Sequence, residues 1–260
     1  MRCSNFNQIY EFVRGKSATA AATLFMVGLR GRAIALLIIG EPFRDSRNRV
    51  PCTSASIQAQ HEASQSYMEK FVLPLRAHGN RVDIFLTLPQ CADLTFATFM
   101  RRWFPGAKSS HVESTSMEHG WRAGYYLVHR YMKEFNASYD FIFQGRHDIM
   151  LADSITTWPS MKHNYSRLMF EKDARECNGG CNMAGDVADA IRDCGPEAPR
   201  CHADQFFWAP RRFFRRLFYI ATHPNSEHKG WGHVFHKNFR EEEYGFLFPD
   251  CSKFNSWHSC

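Results

Sequence analysis

The chain has 260 residues, a size that fits one large domain or two small ones. Its 44% hydrophobic and 22% charged residues exclude a disordered chain. The formal net charge of +6 comes from scattered basic residues, which suits a small polyanion or an anionic surface and gives no stripe that would demand nucleic acid.

Residues 1–32 are expected to form an N-terminal helix or a signal-anchor-like segment, because the small apolar run Ser17 to Leu29 follows Arg14 and Lys16. That run is shorter than the ~20 residues a bilayer needs, and Arg30 and Arg32 interrupt it. Residues 33–260 read as one domain. Ala33 to Ile39 is apolar and partly β-branched and stops at Gly40, as a buried first strand would. A helix should start at Ser54 or Ser56, bend at Pro74 and stop at Gly79. Val82 to Leu88 predicts a second strand, Leu94 to Phe104 a helix ended by Pro105-Gly106, and Lys108 to Val112 a short strand. Met117 to Phe135 predicts a strong amphipathic helix with Trp121, Tyr125, Val128 and Met132 on one face. Tyr139 to Gln144 then reads as the fourth strand. This alternation predicts an α/β fold, a mostly parallel Rossmann-like sheet with helices on both faces.

Beyond residue 148 the pattern is less regular. Ser166 to Glu171 predicts a strand, Gln205 to Trp208 a short strand or turn, Arg211 to Ala221 a basic-aromatic helix, Gly230 to Phe239 a helix and Tyr244 to Phe248 a last strand. Arg211, Arg212, Arg215 and Arg216 open the basic helix, as a solvated face or an anion contact. Four of the nine Cys, Cys177, Cys181, Cys194 and Cys201, fall in one Gly- and Asp-rich loop. Their spacing fits no common zinc finger, so disulfides within an irregular, disulfide-tied C-terminal part are expected. With the sequons at Asn136 and Asn164, this favours the secretory pathway, in the Golgi lumen or membrane, over the cytoplasm.

The most informative segment is Tyr139-Asp140-Phe141-Ile142-Phe143-Gln144-Gly145-Arg146-His147-Asp148. An apolar strand delivers an Arg and an Asp to its C-terminal end, where open α/β sheets build sites for charged ligands. Asp148 has hard oxygens for Mn²⁺ or Mg²⁺ or for a sugar, and Arg146 suits phosphate, although the two could simply pair. In the loop after the first strand, Gly40-Glu41-Pro42-Phe43-Arg44, Arg44 is a phosphate candidate and Phe43 a stacking one. In His202-Ala203-Asp204-Gln205-Phe206-Phe207-Trp208, Asp204 could take a proton from an acceptor hydroxyl. Phe207 and Trp208 could stack on its sugar, or belong to the core. His233 and His236, at i and i+3, could add metal ligands.

The order of elements, with the fourth strand ending in Arg146-His147-Asp148, resembles the nucleotide-sugar glycosyltransferases of the GT-A fold. The segment is similar to an Arg-x-Asp variant of their Asp-x-Asp motif, covering about Ala33 to Phe214. The resemblance implies transfer of a sugar from a nucleotide-sugar donor to a hydroxyl on a glycan or glycoconjugate acceptor. It implies donor contacts at Arg44, Arg146 and Asp148, and a metal at Asp148 with a C-terminal His. Arg146 stands where most relatives carry a carboxylate, so a non-catalytic binding domain is the main alternative. A metal-dependent hydrolase is the third. Membrane association, if any, would run through the N-terminus.

Overall fold

The computed structural model describes residues 30–40, 42–43, 52–89, 95–112, 117–147, 149–151, 154–157, 168–172, 202–223 and 244–246. Seven strands form one sheet in the order β3-β2-β1-β4-β6-β5-β7. They are β1 (Ala33–Ile39), β2 (Arg81–Pro89), β3 (Lys108–Val112), β4 (Phe141–Arg146), β5 (Leu168–Lys172), β6 (His202–Pro210) and β7 (Tyr244–Phe246). β3, β2, β1 and β4 are mutually parallel. β6 runs antiparallel to both β4 and β5, and β7 is parallel to β5. The sheet is therefore mostly parallel, as expected, with one reversed strand inside it. That strand is the segment read as a short strand or turn, and it extends over nine residues.

β1 explains the layering. Its residues alternate between two cores: Ile34, Leu36 and Ile38 face one, and Ala35, Leu37 and Ile39 the other. A strand covered on both faces needs an unbroken apolar run, which is what the sequence supplies. The first core holds Tyr67, Phe71, Phe96 and Met100 from helices α1 (Ile57–Tyr67) and α3 (Thr95–Trp103) and the turn after α1. The second holds Trp121, Tyr125 and Val128 of α4 (Met117–Glu134) and Phe214, Leu217 and Ile220 of α5 (Phe214–Thr222). Each such side chain taken fully from water contributes about 1.5–3 kcal/mol.

Local signals set the ends of these elements. The α1 rod continues through a π turn, Met68–Val72, into α2 (Leu73–Ala77), whose first turn contains Pro74. A proline lacks the N–H for an i−4 bond and crowds the carbonyl of that residue. The π turn widens the coil just before Pro74. Gly79, at φ +79°, ends the rod: its N–H reaches Arg76 O (2.9 Å) and the Asn80 N–H reaches Leu75 O (3.1 Å). This is the left-handed stop expected of a glycine there. Asn136, one of the sequon residues, ends α4 in the same way at φ +47°, with the Ala137 N–H on Met132 O at 3.0 Å.

Cys52 is disulfide-bonded. The four-cysteine loop, residues 1–29 and the helix expected at Gly230 to Phe239 lie outside the described residues. Among the described residues no helix is long and apolar enough to cross a membrane.

Candidate functional site

The chain leaves β1 toward β2 and β3, then returns across the sheet to place β4 on the other side of β1. This reversal makes the C-terminal ends of β1 and β4 the switch point, the place where open α/β sheets form a ligand-binding crevice. Ile39 pairs with Arg146 across that end, so Arg146 is the last residue of the strand rather than part of the turn. The fourth strand thus runs two residues later at both ends than expected. Strand alternation places Arg146 on the face of Ile142 and Gln144, toward α4 and α5, while Gly145 faces α1.

Neutral groups fix the two loops that leave these strands. Gln60, on the inner side of α1 and nearly buried, accepts from the Phe43 N–H through Oε1 (2.9 Å) and donates from Nε2 to His147 O (3.0 Å). One amide therefore joins the loop after β1 to the turn after β4. His147 is buried as well; its N–H reaches Ile39 O (3.0 Å), and its Nε2 donates to Thr87 O on β2 at 2.8 Å. The Tyr67 hydroxyl donates to Arg146 O at 3.0 Å. Gly145 makes that contact possible, because a Cβ there would lie 2.3 Å from the hydroxyl oxygen. Phe43 sits at φ +57°, a strained conformation for a bulky residue, held by Gln60 on one side and by the Thr53 N–H on its carbonyl (3.1 Å) on the other.

The first turn of α4 closes the far wall. A Cβ on Gly120 would lie 3.5 Å from Thr87 Oγ1 and 3.6 Å from the Gly40 nitrogen, so the helix start lies against the end of β1. That helix end carries partial positive charge, which favours an anion. Below Arg146, Gln144 is fully buried with neither amide atom hydrogen-bonded, and Thr87 Oγ1 is in the same condition. Buried polar groups of this kind usually find a water or ligand partner.

The sequence candidates fare unequally. Arg146 is at the crevice and half-buried. Arg44 and Asp148 directly follow the clamped residues Phe43 and His147, but themselves lie outside the described residues, as do His233 and His236. Among the described residues, no three His, Cys, Asp or Glu side chains gather that could hold a metal ion. Asp204 and Phe207 lie on β6, where Phe207 pairs with Gln144; nothing is described of their side chains.

Two expectations are corrected. Trp208 is 0% exposed and packs on Phe141 (4.5 Å) and Phe143 (6.4 Å), so it is core and presents no face to a sugar. Phe43 is buried against Phe96 (4.5 Å) and Trp103 (5.8 Å) and does not stack on a ligand. Sequence reading missed Gln60, Tyr67 and Gly145, and it treated His147 as a spacer. A signal existed: Gln60, Ser64 and Tyr67 recur at the i, i+4, i+7 spacing of a helix's inner face, where polar residues need buried partners.

Beside Phe43, a groove of about 610 Å³ runs between the α1 rod and α3, lined by His61, Met68, Glu69, Phe99 and Trp103 among others. Trp103 stacks with Phe99 (5.4 Å, 9°) and His61 (5.0 Å, 25°).

No protein-family model matches the chain, and no curated protein matches its sequence. Among solved structures, it is similar to 4-diphosphocytidyl-2C-methyl-D-erythritol synthase from Anaerococcus prevotii, at a TM-score of 0.52 and 10% identity over 85% of this chain and 88% of that one. The glycosyltransferase GlyE of Streptococcus pneumoniae aligns at a TM-score of 0.40 and 12% identity, over 86% of this chain. This chain spans 47% of GlyE's length. At 10% identity the likeness to the synthase is one of fold alone, consistent with a GT-A-like architecture, and it says nothing of the Arg-x-Asp motif.

Proposed function

We propose that the protein is a glycosyltransferase that moves a sugar from a nucleotide-sugar donor to a hydroxyl of a glycan acceptor. The observation that carries this is the Gln60 clamp, which ties together the two loops at the switch point just before Arg44 and Asp148. In the proposal, Arg44 and Arg146 bind the donor diphosphate, and Asp148 holds the sugar or a divalent cation. The acceptor oxygen bonds to the anomeric carbon, the bond from that carbon to the diphosphate breaks, and Asp204 takes the hydroxyl proton. The rate gain comes from positioning and from cationic stabilisation of the leaving diphosphate.

The Arg at position 146 favours a second reading, a binding domain that holds the donor without turning it over. One experiment separates the two. UDP-, GDP- and CMP-sugars are screened for thermal stabilisation with and without Mn²⁺, and each stabilising donor is then assayed for hydrolysis and transfer. Stabilisation with turnover supports the transferase. Stabilisation without turnover supports the binding domain, and no stabilisation by any donor overturns both.

A further inference from the structure

α5 breaks a rule of helix electrostatics. Arg211 and Arg212 lie in the 3₁₀ turn that leads into it, and Arg215 and Arg216 in its first turn. This is the helix end where the macrodipole disfavours cations. All four arginines are exposed, and residues 211–223 contain no Asp or Glu. Arg212 lies over Phe213, 4.6 Å from its ring centre, while the helix docks on the sheet through Phe213, Phe214, Leu217, Ile220 and Ala221 on its other side. Tyr219, 61% exposed, extends the outer face. Phe218 joins it to α4 through ring contacts with Tyr125 (5.7 Å) and His129 (5.1 Å), beside Tyr126, which is 59% exposed.

We infer that this two-helix face docks on an anionic lipid bilayer. Four guanidinium groups on one helix end match a layer of lipid phosphates and carboxylates. Tyrosines, with an apolar ring and a polar tip, suit the headgroup depth. The Arg211 N–H bonds Asp140 O (2.8 Å) just before β4, so the arginines stand at the opposite end of the sheet from the crevice. A docked molecule keeps its crevice clear of the lipid. The surface is separate from residues 1–32 and does not depend on the nucleotide-sugar reading.

Flotation with phosphatidylcholine vesicles, with and without about 30% phosphatidylserine, tests this. Wild type is expected to float with the anionic vesicles alone and to be released as salt rises, since a surface potential is screened within a Debye length. Each arginine near the surface is worth roughly fivefold in partitioning. Replacing Arg211, Arg212, Arg215 and Arg216 by Gln should therefore lower binding by about a hundredfold or more. Replacing Arg101 and Arg102, exposed on α3, by Gln should leave it unchanged. If the fourfold variant fails to fold by circular dichroism, the salt dependence of wild type and the single variant Tyr219→Ser, which should bind severalfold less, decide the matter. Wild type that ignores anionic vesicles, floats equally with neutral ones, or prefers duplex RNA at equal phosphate concentration overturns the proposal.

Discussion

Toward the N-terminal ends of β2 and β3, one cluster of charges is paired within itself. Asp83 accepts from Lys108 Nζ and from the Tyr139 hydroxyl, each at 2.8 Å, and lies 3.4 Å from Arg81 Nε. Toward the C-terminal ends of β1 and β4, Gln60, Tyr67 and His147 instead grip backbone N–H and C=O groups. The Asp83 cluster uses its charge on itself and leaves little for a ligand. The second arrangement fixes the backbone at the crevice without adding charge, so the electrostatics a ligand meets are set by Arg146 and by the residues the loops carry. The contrast marks the Asp83 cluster as structural and the crevice as the candidate site.

Variants that separate stability from binding sharpen this contrast. The largest effect is expected for Gln60→Leu. It removes the bonds from the Phe43 N–H and to the His147 C=O, both buried, at about 1–3 kcal/mol each. Urea denaturation should show a loss of about 3 kcal/mol, and binding of any stabilising nucleotide sugar should weaken at least about tenfold, equivalent to 1.4 kcal/mol. A loss below about 1 kcal/mol would contradict the clamp. Gly145→Ala comes next. Its methyl meets the Tyr67 ring, so about 2–3 kcal/mol of destabilisation is expected. In this variant, the additional change Tyr67→Phe should recover part of the loss, because the nearest clash is with the hydroxyl.

At the other end, Lys108→Met should cost only about 1–2 kcal/mol, between the values for exposed and buried pairs, and should leave donor binding unchanged. Equal loss of binding in Lys108→Met would break the distinction between the two ends.

The smallest effects are with pH. Burial pushes the Asp83 carboxyl up, but the hydrogen bonds from Lys108 and Tyr139 and the charges of Lys108 and Arg81 outweigh it and hold it below its ordinary value. Its folded pKa lies below its unfolded one, so its contribution is present above about pH 4 and fades as pH falls through the folded value. Asp83→Asn should flatten the acid limb of a Tm–pH profile. Burial raises the hydroxyl of Tyr125, and burial with the Asp83 hydrogen bond raises that of Tyr139. Their contribution is intact below about pH 10 and should be lost above it, seen as a falling alkaline limb.

Much of this architecture was legible in the residues. The apolar run of β1, the glycine stop at Gly79 and the one-sided pattern of α4 each have a single physical cause acting over a few residues. β6 was underestimated because its pairing with β4 and β5 is long-range, and no local pattern encodes which neighbour a strand will find. The end of β4 was legible to within two residues, since the apolar run stops at Arg146. How the loops after β1 and β4 are held was not. Gln60 and His147 are 87 residues apart in sequence, and the bond between them exists only once the switch point has formed. Trp208 stayed open between core and ligand for a related reason: an aromatic beside an acidic residue looks the same in sequence whether it faces a core or a ligand.

The account stands or falls on whether the crevice binds a nucleotide sugar. Isothermal titration of the best stabilising donor into wild type, Arg146→Ala, Asp148→Ala and Lys108→Met tests it most directly. Loss of at least about tenfold in affinity for both crevice variants, with Lys108→Met binding as wild type, is the predicted result. Unchanged affinity in Arg146→Ala and Asp148→Ala would contradict it and move the site elsewhere on the molecule.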